Sequence, residues 1–215
     1  PQSRLTNDCT GFGNPDIARH PVNSLTSGAI LWFGRPVVCF PNEPLSAHSV
    51  ARAKLQTVRM IEIREATLFD SEAMASLYHN TIHHINSRHY DPVQIETWGG
   101  AAPDPEKWRP RLATRQTFVA YQQDKLVGFT ELEADGHVDT LFVHHEHQGE
   151  GVATRLLAHV EQLAERVGIS RLYTEASITA RPFFERRGFV VVLPQEVEIR
   201  GVWFRNYKME KVLSS

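Results

Sequence analysis

The stretch 141–154, LFVHHEHQGEGVAT, limits what this chain can fold into more than any other. An apolar strand-like segment ends there in a glycine-rich turn that opens directly into a helix. Val152, Leu156, Leu157, Val160, Leu163, Ala164 and Val167 recur at helical spacing, and Gly168 is placed to end that helix at C′. Such a turn suits phosphate. Gly149 and Gly151 remove side chains that would keep a ligand from the backbone, and the first helical N–H groups carry partial positive charge. A P-loop requires Lys and Ser or Thr after its last glycine, where Val152 and Ala153 stand. A dinucleotide fingerprint requires a third small residue where Thr154 stands, and the preceding strands read as hairpins rather than a βαβ unit. A plain strand-to-helix connection accounts for the glycines but not for Gln148, the helix and the downstream segments together.

The surrounding pattern is that of a mixed α/β (α+β) domain. Segment 61–64 reads as a short strand, and Asp70 as the N-cap of a helix bearing Ala73, Met74, Leu77 and Tyr78 on one face. Asp91-Pro92 and Asp104-Pro105 start short helices reaching Trp98 and about Leu112. Segments 117–121, 126–133 and 138–143 alternate as three consecutive antiparallel strands, with turns at 122–125 and at Asp135-Gly136. After the long helix come a strand at 171–176, a short helix at 179–187 stopped by Gly188, and strands at 189–193 and 202–209. A mostly antiparallel sheet flanked by helices is expected.

Residues 1–59 carry Pro15, Pro21, Pro36, Pro41 and Pro44 and no useful periodicity, so they read as an irregular extension ahead of a domain at 60–215. Met60 is either a native start or the junction with a genuine extension. The charge balance, 23 Lys plus Arg against 25 Asp plus Glu, provides no electrostatic drive toward nucleic acid or an anionic membrane. No apolar run reaches the roughly 18 residues of a membrane span. The two cysteines, Cys9 and Cys39, leave the rest of the chain without a disulfide framework, a cysteine zinc site or a thiol nucleophile, and a reducing cytoplasm is expected.

Gln148, Gly151 and Ala153 match the Gln/Arg-x-x-Gly-x-Gly/Ala signature of the GNAT acetyltransferases, which the chain resembles from about Met60 onward. Arg64, Ala66 and Asp70 resemble that superfamily's first strand and helix start, and SITARPFFERRGF at 177–189 resembles its fourth-helix segment. SRHY at 87–90, LFV at 141–143, SITARPFFER at 177–186 and RGVWFRN at 200–206 look most like the bacterial YafP-type subgroup. The resemblance implies an acetyl-CoA-dependent N-acetyltransferase. The pyrophosphate would lie on the N–H groups of Gln148, Gly149, Glu150, Gly151, Val152, Ala153 and Thr154. The pantetheine arm would pair with backbone at Leu141, Phe142 and Val143 in the manner of an added strand, with Phe183 nearby.

Acyl transfer to an amine requires a proton acceptor for the amine and a donor for the departing thiolate. Period-two alternation puts His137, Asp139 and Leu141 on one face, so Asp139, or else His137, is the expected base; pairing of Asp139 with an arginine is the alternative. Where the superfamily usually has a tyrosine acid this chain has Phe184, which cannot donate a proton. Ser177 is the expected donor, with Tyr90, Tyr173 and Tyr207 as rivals. His83, His84, His89, Tyr90, Trp98 and Trp108 offer aromatic walls for a small primary-amine acceptor, with His83, Tyr90 and Trp98 foremost. Histidines at 79, 83, 84, 144, 145 and 147 show no H-E-x-x-H or cysteine–histidine spacing, and no metal is expected. Alternative readings are a peptide or protein N-acetyltransferase, a toxin acting on aminoacyl-tRNA, which the balanced charge disfavours, and an acyl-CoA-binding regulatory module without catalysis. A homodimer is left open.

Overall fold

The computed structural model describes residues 60–213, so the reading of residues 1–59 lies outside the described residues. The chain begins with β1 (Glu62–Glu65), a 3-10 turn (Leu68–Asp70) and α1 (Ser71–His84). Asp70 does not cap α1 with its side chain. It turns back instead, accepting from Thr67 N at 2.7 Å and Thr67 Oγ1 at 2.9 Å, pairing with Arg64 at 2.7 Å and accepting from Tyr121 Oη at 2.7 Å. One buried carboxylate thus ties the first strand and the turn to Tyr121, far along the chain.

Asp91 caps α2 (Pro92–Gly99) as the sequence predicts, with a reciprocal capping box to Gln94. The expected helix over 105–112 is split into a 3-10 turn (Pro105–Lys107) and α3 (Arg109–Thr114), which takes Pro110 in its first turn. Strands β2 (Gln116–Gln122), β3 (Lys125–Leu132) and β4 (Thr140–Val143) follow in an antiparallel sheet ordered β1-β2-β3-β4. Gln123 and Asp124 both take positive φ, 50° and 62°, matching the two-residue turn between β2 and β3.

β4 starts at Thr140, two residues later than the alternation suggests, because the preceding segment is drawn to another strand. Val138 N donates to Tyr173 O at 2.8 Å and Tyr173 N to Gly136 O at 3.0 Å. Gly136, at φ +93°, lies where an added Cβ would be 2.2 Å from Arg171 O, so a side chain would break this crossing. His137 and Asp139 therefore do not continue the face of Leu141.

α4 (Val152–Arg166) buries Val152, Leu156, Leu157, Val160 and Ala164. It ends in a Schellman motif, Gly168 N to Glu165 O at 3.2 Å and Ile169 N to Ala164 O at 2.8 Å. β5 (Arg171–Ser177), α5 (Arg181–Arg186), β6 (Val190–Ile199) and β7 (Val202–Val212) complete the fold, with a second antiparallel sheet ordered β5-β7-β6. β6 runs past the expected 193 through Pro194, which an edge strand tolerates because one side of it needs no N–H. The two sheets meet at the parallel bridge between His137 and Tyr173. One core fills the space under α4, with Leu156, Leu172 and Phe184; the other surrounds α1, with Met74, Trp108 and Phe129. No described helix is long and apolar enough to cross a membrane.

Candidate active site

Past the His137–Tyr173 bridge β4 and β5 belong to different sheets, and a cavity of about 570 Å³ runs between them from the start of α4. His144 N donates to Val127 O at 2.9 Å, so by antiparallel alternation Phe142 bonds toward β3 while Leu141 and Val143 present their backbone groups to the cleft. The Val143 oxygen is already taken, accepting from Thr81 Oγ1 at 3.0 Å and Gln148 Nε2 at 2.7 Å. The backbone of Leu141 and the N–H of Val143 are the groups left to an added strand.

Gly149 (φ +79°) and Gly151 (φ +85°) have no atom within 4 Å of the position an added Cβ would occupy. The first bond of α4 runs from Arg155 N to Gly151 O at 3.1 Å, leaving the N–H groups of Val152, Ala153 and Thr154 without helical partners. Gln148, Gly149, Gly151 and these three residues line the near end of the cavity, and Leu141, Phe142, Val143 and Phe183 its sides. Glu150 is the exception: it stays off the wall and pairs with His147 at 3.1 Å. Open glycine positions and free donors in one concave turn fit a pyrophosphate.

The expected catalytic residues separate on inspection. Asp139 lines the far end, but its carboxylate is paired with both Arg111 and Arg115. Arg111 also grips the buried Glu131, Nε to Oε1 at 3.1 Å, and Arg115 reaches Glu133 at 2.9 Å. Burial raises the Asp139 pKa, but the charge and hydrogen bond of Arg111 outweigh it and hold the carboxyl below the usual range. An anion so stabilised is a weak base at neutral pH.

Ser177 closes β5 on the cavity wall; its Oγ accepts from Ala180 N at 3.1 Å and keeps its own proton to donate. Tyr90 is buried, donating to Arg205 O at 3.0 Å and accepting from Ile178 N at 3.0 Å, so its hydroxyl braces β7 against the end of β5. Tyr173 donates to Asp135 at 2.5 Å; that bond, with some burial, pushes its pKa up to about 12. Tyr207 lies beneath the Arg181 guanidinium, 4.5 Å from its ring centre. Phe184 is core. His83 turns away from the cleft, with Nε2 3.1 Å from Gly100 O and its ring against His79, whereas Trp98 does reach the cavity.

Several wall residues escaped the sequence reading, among them Thr81, Asn86, Arg186, Arg187 and an acidic one. Glu175, on the same β5 face as Ser177, lines the cavity and holds His137 Nε2 at 2.6 Å. Its signal was the alternation of 173, 175 and 177 along β5. Among the described residues, His144, His145 and Glu146 bring donor atoms within 4.8 Å of one another, but Glu146 is engaged by Lys125 at 2.9 Å. Burial, then the charge of Lys125, pushes His144 down to about 4.

A phosphate-fitting turn at the mouth of a gap between two sheets, in this order of elements, defines a GNAT-type acyltransferase. The family description "Acetyltransferase (GNAT) domain" matches residues 86–211, and the chain belongs to the GNAT superfamily of N-acetyltransferases. It is 38% identical over 149 residues to the uncharacterized N-acetyltransferase YafP of Escherichia coli K12, covering 69% of this chain and 94% of that one. The structure resembles a GCN5-related N-acetyltransferase from Rhodopseudomonas palustris with a TM-score of 0.68 and 34% identity, over 71% of this chain and 95% of the other. It shares its fold with the PaiA N-acetyltransferase of Thermoplasma acidophilum in complex with coenzyme A, at a TM-score of 0.59 and 20% identity, over 71% and 99% of the two chains.

Proposed function

We propose that the enzyme moves an acetyl group from acetyl-CoA to the primary amine of a small acceptor, and that residues 60–215 form its catalytic domain. The observation that carries this reading is the turn at 148–154, where two open glycines and unpartnered helical N–H groups face one cavity. A solved GNAT fold with coenzyme A supports the same cosubstrate. Acetyl-CoA supplies an activated acetyl thioester, and the chain must bind it, align the amine and handle two protons.

Gly149, Gly151, Val152, Ala153 and Thr154 would hold the pyrophosphate, and the free backbone of Leu141 and Val143 would align the arm in the gap between β4 and β5. As the carbon–nitrogen bond forms and the carbon–sulfur bond breaks, one proton leaves the nitrogen and one reaches the sulfur. Glu175, facing the cavity with His137 behind it, is the proton acceptor. Asp139, committed to Arg111 and Arg115, fixes that end of the cleft electrostatically. Ser177 donates toward the sulfur, a modest task because thiolates have pKa values far below those of alkoxides. CoA release measured with acetyl-CoA and a panel of amines, peptides and aminoglycosides tests the reading: turnover with small amines is expected, and binding without turnover on any of them would point to a regulatory module instead.

A further inference from the structure

The wall that α1, α2 and the 3-10 turn between them (Asn86–Arg88) give the main cavity consists of Thr81, Ile85, Asn86 and Trp98, and it carries no charged group. The Thr81 hydroxyl is spent on Val143 O at 3.0 Å. Asn86 is not spent. It is only 5% exposed, its carboxamide has no hydrogen-bond partner among the described residues, and neither polar atom of that amide is sealed in protein. The little surface it keeps is therefore at the amide, on the cavity it lines. A buried polar side chain is normally paired, so an open one on a cavity wall calls for a partner that enters with the ligand.

The turn that carries Asn86 is fastened beside Ser177. Asn86 O accepts from His89 N at 2.9 Å and Tyr90 N at 3.1 Å. His89 Nδ1 lies 3.0 Å from Thr179 Oγ1, and Tyr90 Oη accepts from Ile178 N at 3.0 Å. Ile178 and Thr179 directly follow Ser177, so the Asn86 amide is held at the end of the cleft where the thiolate's proton donor sits. All the bonds that hold it there use the Asn86 backbone, which leaves the side chain to a ligand.

We propose that Asn86 reads the body of the acceptor, pairing its carboxamide with an uncharged primary amide close to the reacting amine, so that the substrate is an amino amide. A carboxamide presents two N–H donors and a carbonyl acceptor, and another primary amide satisfies both ends at once whichever way the asparagine is turned. A hydroxyl engages one end well, and a hydrocarbon leaves both unpaired. A carboxylate satisfies the donors alone and would meet the carboxylates of Asp139 and Glu175 in the same cavity.

The assignment rests on the acetyltransferase reading, and the experiment has separate arms for the two. Glycinamide and β-alaninamide are assayed with acetyl-CoA beside their hydrocarbon isosteres, isobutylamine and isoamylamine, on the full chain as wild type, Asn86→Leu and Asn86→Ala. Dividing each variant's kcat/KM by the wild-type value for the same amine cancels the differing basicity of the amines. For the amides both variants should lose about tenfold or more, chiefly through KM, and for the hydrocarbon amines at least about tenfold less than that. Tm should not fall in Asn86→Leu, since no side-chain bond is lost. Amides and hydrocarbons slowed alike, or acetylation of the hydrocarbon amines without the amides, would overturn the inference and leave the acetyltransferase reading intact. In parallel, saturation-transfer NMR measures binding of the same amines to the same proteins with CoA present. If no amine is acetylated, binding of the amides alone that both substitutions abolish would keep the amide site while sinking the catalytic reading. Equal binding of both sets, or binding of neither, would overturn the amide site as well.

Discussion

The side-chain amide of Gln148 donates to the carbonyl oxygen of Val143 at 2.7 Å, joining the glycine turn to the strand it leaves. That bond sets where the free N–H groups of α4 point relative to the cleft edge of β4. Gln148→Leu should therefore weaken acetyl-CoA binding about tenfold while lowering stability by only about 1 kcal/mol. Calorimetry and denaturant unfolding on the same preparation check both halves.

A second expectation concerns Asp70. Burial opposes its ionisation, but hydrogen bonds from Arg64, Thr67 and Tyr121 prevail and hold the carboxyl well below the usual range. A depressed carboxyl contributes stability that is fully present above its unfolded pKa, about 3.9, and is lost as pH falls through its folded value. Asp70→Ala should cost roughly 2–4 kcal/mol at pH 7. The gap from wild type should narrow in urea titrations carried out progressively below about pH 4.

Kinetics should separate the two acidic residues of the cleft. Glu175→Gln should lower kcat/KM most at low pH, where few acceptor amines are neutral, and the loss should shrink toward the amine pKa. Asp139→Asn frees Arg111 and Arg115 and should depress activity with little pH dependence above about pH 6. If the pH-dependent loss appeared in Asp139→Asn instead, the proton acceptor would have to be reassigned.

The legible parts of this chain are those fixed by neighbours in sequence. The glycine turn, α4 and its Gly168 stop were readable because glycine placement and 3.6-residue periodicity act within a few residues. The Asp91–Gln94 capping box was readable for the same reason. Asp70 looked like a forward cap because the same residue type serves either direction; Arg64 and Tyr121, from two strands, decided it. Asp139 was put on the Leu141 face by an alternation that the long-range pairing of Val138 with Tyr173 interrupts.

The extension offers a further check. The described residues 60–213 by themselves supply two cores, two sheets and a cleft, so a chain beginning at Met60 should fold cooperatively and bind acetyl-CoA like the full chain. A much lower Tm for the shortened chain would mean that residues 1–59 belong to the domain.

The central claim is that the turn at 148–154 binds the pyrophosphate of acetyl-CoA, and Gly151→Glu tests it most directly. At φ +85°, with open space where its side chain would begin, Gly151 accepts neither bulk nor negative charge beside a bound anion. Calorimetric titration of acetyl-CoA should give saturable binding to the wild type and none detectable to Gly151→Glu, with the fold of both verified by circular dichroism. Equal affinity in the two folded proteins would contradict the account.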